Sequence, residues 1–173
     1  PDLTTLGVLR SWFDLHEDPG WVMEALGLFM HRRLERAGYW CTPRNSATFA
    51  STRRRRRSRL VGRPRRGVAE SSPVVMTVPM ARAPNWIVGE DLRDFLSLGI
   101  VTGYFSLEEL AYRPDWPDHI ESADEDARSD ELTDLATALG LDPWRDVASR
   151  LELLRQRVGP TLIVDDPPGP VDR

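Results

Sequence analysis

An α+β fold, a small and mostly antiparallel sheet packed by several helices, is predicted by three features of the sequence. Helical apolar stripes lie towards both ends, most β-branched runs cluster in the middle, and no regular β-α-β alternation is present. The 173 residues suit one domain, read as residues 1–165, with a flexible tail at 166–173.

The elements follow in chain order. A helix over residues 6–16 gathers Leu9, Trp12 and Phe13 on one side. Asp18-Pro19-Gly20 breaks it and opens a second helix, because Asp is a favoured cap and Pro a favoured first residue. That helix is predicted over residues 20–37 from Val22, Leu26, Phe29, Met30, Leu34 and Ala37, with Gly38 as its stop. Strands are expected at residues 47–51, 73–78 and 85–88, where small, β-branched and aromatic residues replace the helical period. Helices follow at 90–98, ended by Gly99, and at 105–112, opened by Ser106 and closed before Pro114. Ser129 and Gly140 bracket a helix over 129–139. Asp142-Pro143 opens another over 143–158, with the stripe Trp144, Val147, Leu151, Leu154 and Val158. Residues 161–164, Thr-Leu-Ile-Val, are a candidate last strand.

All 23 basic residues are arginine, the usage of a GC-rich genome, and nine of them (Arg53 to Arg57, Arg59, Arg63, Arg65 and Arg66) fall within fourteen acid-free residues. Without that stretch the formal charge moves from −4 to −13 over the other 159 residues, so an acidic body carries one basic insert. Burying an unpaired charge costs several kcal/mol, so these guanidinium groups are expected in solvent or against a partner, and about 53–67 reads as a disordered loop. A second reading is nucleic-acid binding through Arg53, Arg54, Arg55, Arg56, Arg57 and Arg59, although no aromatic is interleaved for base stacking. A third is a local shift of reading frame. Codons such as CGG CGG CGA CGG AGT CGA for residues 54–59, read one base forward, spell Gly-Gly-Asp-Gly-Val-Asp, the kind of turn expected after the strand at 47–51.

Elsewhere the chemistry-bearing residues are sparse. Glycines form no phosphate-binding loop, and His16, His31 and His119 share no ligand spacing, so neither cofactor nor metal is expected. The lone Cys41 precludes an internal disulfide and reads as a buried thiol. No apolar run has the length of a membrane span, Pro1–Arg10 lacks a signal-peptide pattern, and Pro1 points to a trimmed N-terminus; a cytoplasmic protein is expected. The acidic stretch Asp115, Asp118, Glu121, Asp124, Glu125 and Asp126, with Trp116 among them, fails the calcium-loop pattern. It reads as a solvated connection between helices or as a surface for a basic partner, with Trp116 as its aromatic anchor. An enzyme built on Cys41 or on Asp118, His119 and Glu121 is the remaining alternative.

Residues 85–99, Asn-Trp-Ile-Val-Gly-Glu-Asp-Leu-Arg-Asp-Phe-Leu-Ser-Leu-Gly, join a strand to a helix. With 73–79 before them and Gly103–Leu110 after them, they resemble the SUKH superfamily. Those are α+β domains related to a cell-wall assembly regulator, and many serve bacteria as immunity proteins against toxins. The similarity spans about Tyr39–Tyr112, rests on hydrophobic pattern, and places the arginine run where the family has a glycine-rich turn after the strand. It implies a non-catalytic binder that caps a toxin with a basic face, and carries over no active site. Sequencing the coding DNA tests the frame-shift reading: a shifted frame over residues 53–66 that encodes a turn and a strand supports it, and one that encodes neither ends it.

Overall fold

The computed structural model describes residues 4–35, 38–52, 59–62, 72–124 and 128–165. Its order is α1 (Thr5–Asp14), α2 (Pro19–Leu26), β1 (Phe29–Glu35), β2 (Ala47–Ser51), β3 (Arg59–Gly62), β4 (Val74–Thr77) and β5 (Asn85–Gly89). There follow α3 (Leu92–Gly99), a 3-10 helix (Phe105–Ala111), α4 (Trp116–Ser122), α5 (Asp130–Leu139), α6 (Val147–Val158) and a 3-10 turn (Gly159–Thr161). The α+β class is as expected.

The five strands form one antiparallel meander in the order β1-β2-β3-β4-β5. In backbone register Phe29, Ser51, Arg59, Thr77 and Asn85 make one cross-sheet row of positions, and Met30, Ala50, Leu60, Met76 and Trp86 the next. Helices α3 and α6 pack on β5. The core between sheet and helices runs through an aromatic chain: Phe49 meets Phe95 edge-on at 6.2 Å, and Phe95 meets Tyr104 at 5.2 Å. Tyr104 is wholly buried, so its hydroxyl needs a partner and donates to the Leu96 carbonyl at 2.9 Å; burial pushes its pKa well up. Gly99 is required here because a Cβ would meet the Tyr104 ring at 2.3 Å. Its role is to admit that ring, and the helix ends one residue later with Ile100 as its cap.

The predicted helix over 20–37 is corrected. Only Pro19–Leu26 is helical, and Phe29–Glu35 is β1. Gly27 takes φ 71°, the Leu28 amide donates to the Met23 carbonyl at 2.9 Å, and the Gly27 amide to Glu24 at 3.1 Å, a glycine stop that closes the helix. The spacing of Phe29, Met30 and Leu34 fits a helix equally well in sequence, but pairing with β2 decides the matter, and Leu34 is 48% exposed.

The arginine-rich stretch also supplies structure. Residues 59–62, within the expected loop, form β3 between β2 and β4. Residues 53–58 and 63–71 lie outside the described residues, as does the tail from 166.

Other boundaries moved for identifiable reasons. Helix 105–112 is a 3-10 helix in which Ser106 is not the cap: its hydroxyl lies 2.7 Å from the Gly103 carbonyl and 2.8 Å from Thr102 Oγ1. Helix 143–158 begins only at Val147. The candidate strand at 161–164 is replaced by a strap. The Arg44 amide donates to the Ile163 carbonyl at 2.6 Å, while Asn45 donates to the Thr161 carbonyl at 3.0 Å and accepts from the Ile163 amide at 3.3 Å. One asparagine thus reproduces the two bonds a paired strand would make. Helix α5 keeps its predicted form, with Ser129 accepting from the Leu132 amide at 3.3 Å and Gly140 ending it at φ 58°.

A Cβ on Gly27 would lie 2.6 Å from Phe105 Cβ and 2.7 Å from the Phe105 amide nitrogen, in a backbone region that L-residues rarely adopt. Gly27→Ala is therefore expected to lower unfolding free energy by about 2 kcal/mol or more, read from urea denaturation. A change within about 0.5 kcal/mol would contradict this assignment of the turn.

Candidate functional site

Between the 3-10 helix and the start of α6, residues 105–146 carry thirteen carboxylates against three arginines, a formal net of −10. The apolar residues of this layer, Leu107, Leu110, Trp116, Ile120, Leu132, Leu135, are buried, which leaves the acids outside. Of the acids predicted as partner contacts, Glu121 forms a polar joint between elements and Asp115 a local pair.

Asp115 is exposed and receives the Arg113 guanidinium on both oxygens, at 2.6 and 3.2 Å. That pairing holds its carboxyl below the usual range. The same guanidinium lies 4.9 Å from the Trp116 ring, and His119 stacks on Trp116 at 4.3 Å and 28°. Trp116 itself is 8% exposed and part of the core. It fastens α4 to the domain, and an aromatic anchor for a partner must be sought elsewhere.

Glu121 is exposed overall, yet one oxygen accepts from the Val147 amide. This explains the late start of α6. Asp146, the residue before the helix, stands at φ 55° and makes no side-chain cap, so Glu121 from α4 supplies it. Asp118 and Asp124 are exposed; Glu125 and Asp126 lie outside the described residues.

Beside this joint an open depression of about 620 Å³ is lined by Glu121, Asp142, Pro143, Trp144, Arg145 and Asp146. Three carboxylates and one arginine give it acidic character. Its apolar wall, Trp144, is already occupied on one side: Arg150 lies 4.3 Å from its ring, and its indole N–H donates to the Asp94 carbonyl at 2.9 Å.

Asp94 is the residue whose importance sequence reasoning missed. Asp91 caps α3 by accepting the Asp94 amide at 2.8 Å, and the Asp94 carboxylate reaches back to the Glu90 amide at 2.8 Å, a reciprocal arrangement at the helix start. The other Asp94 oxygen takes the Arg150 guanidinium of α6. Burial raises the Asp94 pKa, outweighing the lowering by the Glu90 amide and Arg150. Arg157 to Glu90 adds a second α6 joint. The pattern Asp-x-x-Asp at 91–94, directly after a strand, was the available signal.

The residues of the enzyme alternative occupy separate places. Cys41 is buried beside the start of β5, where its carbonyl accepts from Asn85 at 2.8 Å, and burial raises its thiol pKa. Asp118 and His119 belong to α4, which packs on α6 and the 3-10 helix. Among the described residues no group of three or more His, Cys, Asp or Glu side chains could hold a metal ion. No helix of the described residues is long and apolar enough to cross a membrane. Of the nucleic-acid candidates, Arg59 opens β3, and Arg53 to Arg57 lie outside the described residues. Comparison with family models, curated proteins and solved structures gives no match.

Proposed function

We propose that this chain is a non-catalytic binding domain of the SUKH-like immunity type, whose acidic helical layer covers the basic face of a protein partner. The reading is supported chiefly by the surplus of carboxylates over arginines in residues 105–146 and their position outside a closed apolar core. A surface of one sign raises the encounter rate with an oppositely charged partner and disfavours others. A nuclease toxin is the partner class that fits, because its substrate-binding face must be basic to hold phosphates, and a polyanionic cover there excludes the substrate. The reading assigns the protein to the bacterial cytoplasm, where a lone buried thiol stays reduced.

Within this layer the contact residues are those not used internally. Asp118, Asp130 and Asp142 are exposed. Glu121 and Trp116 are structural, so changing them confuses folding with binding.

The test uses the product of the neighbouring gene at a verified toxin locus, titrated calorimetrically. Asp118→Asn, Asp130→Asn and Asp142→Asn together are expected to weaken binding about tenfold or more without loss of fold. The unsubstituted complex is expected to weaken as salt rises past about 0.15 M. No binding to the toxin of such a locus, or binding indifferent to both changes, contradicts the proposal.

A further inference from the structure

The sequence also contains a basic counterpart to the acidic layer. Residues 29–66 hold thirteen arginines and one glutamate, a formal net of +12 set against the −10 of residues 105–146. Among the described residues Arg32 and Arg33 are exposed on β1, an edge strand of the sheet, and Arg44 is exposed but paired with Asp165.

β1 is not a plain edge strand. Its register passes from Met30 opposite Ala50 to Glu35 opposite Thr48, so four residues of β1, 31–34, face the single residue Phe49. Three extra residues force the chain to arch away from the ladder. The arch is fixed at its root: Phe29 and Met30 pair with β2, and the Arg10 side chain of α1 donates to the His31 carbonyl at 3.0 Å. Beyond that root Arg32, Arg33 and Leu34 are all exposed, two cations beside an apolar side chain. The opposite edge, β5, has α3 and α6 packed on it.

Edge strands commonly carry charge to repel other strands, and two arginines serve that purpose alone. An arch of three added residues is more than such protection needs. Its chemistry asks for carboxylates with aromatic or apolar surface between them, since guanidinium groups pair with the first and stack on the second. The acidic layer has both. Phe105 is 41% exposed and Tyr112 53% exposed, at the two ends of a 3-10 helix bearing Glu109, with Asp118 close behind in sequence, while Glu108 accepts from Thr52 and Asp115 is paired with Arg113.

We propose that the β1 arch of one molecule docks on the acidic layer of a second copy, around the 3-10 helix and α4. The interface is heterologous, so a pair of copies keeps one free arch and one free acidic layer, and association grows with concentration. This inference rests on the acidic layer being a binding surface, as in the function proposed above. Self-association then competes with the basic partner for that surface.

Analytical ultracentrifugation of the full chain tests this directly. At about 0.05 M salt the average mass should rise with concentration above the 19.7 kDa of one chain, and return to it near 0.5 M. Arg32→Ser with Arg33→Ser, at exposed positions, should weaken self-association about tenfold while binding the toxin no more weakly. Asp118→Asn with Asp142→Asn should weaken both. A chain that stays monomeric at low salt at all concentrations overturns the inference, and so does self-association indifferent to both pairs of substitutions. Mass that disappears on nuclease treatment also overturns it, by assigning the arch to nucleic acid. Because the arginine variants leave the acidic layer intact, failure of self-association is distinguishable from failure of toxin binding.

Discussion

Besides the packing of α6 on β5, the Asp94 carboxylate is the central polar joint between the acidic layer and the sheet. One oxygen closes the start of α3 by accepting the Glu90 amide, the other takes Arg150 of α6, and the Asp94 backbone carbonyl receives the Trp144 indole. Two segments distant in sequence, 90–94 and 144–150, therefore meet at one residue. Its side chain is 11% exposed, while that of Arg150 is 41% exposed, so the carboxylate bears most of the desolvation. Because the folded pKa lies above the unfolded one, the native state holds the proton more tightly. Ionisation of Asp94 thus subtracts from stability as pH rises through the raised value, and the effect reverses as pH falls. The contribution of this ion pair is to place α6, more than to add net stability.

Placement of α6 matters because the functional surface depends on it. α4 packs on α6, and Glu121 of α4 completes the α6 N-terminus in place of Asp146. The carboxylates of α4 and of the 142–146 turn are therefore held relative to the sheet by α6. A surface that recognises by charge needs fixed positions, since ordering mobile carboxylates on binding costs side-chain entropy. The same logic explains why some predicted contact residues, Trp116 and Glu121, are better understood as supports.

What could be read from the sequence divides along physical lines. Helix α5 was legible because cap, stripe and glycine stop agree at Ser129, Leu132, Leu135 and Gly140. β2, β4 and β5 were legible from β-branched and small residues between breakers. The segment 20–37 was not, because Phe29, Met30 and Leu34 satisfy two periods at once and only the pairing with β2 separates them. β3 was hidden because Arg59-Leu60-Val61-Gly62 sits inside an arginine-rich composition that argued for solvent. α4 was hidden by its polarity: only Trp116 and Ile120 of its seven residues are buried. The acidic character of the site was plain from composition. The division of its acids between internal joints and free surface required the fold, since Glu121 meets Val147 across twenty-six residues of chain.

Hydrogen exchange on Asp94→Ala is the most direct measurement of this account. Removing the carboxylate is expected to cost about 1–2 kcal/mol of global stability, and the amides of α6 and α4 should lose protection well beyond those of β2 and β4. Unchanged protection in α6, or a loss spread evenly over helices and sheet, would contradict the view that Asp94 is the central polar joint of the acidic layer.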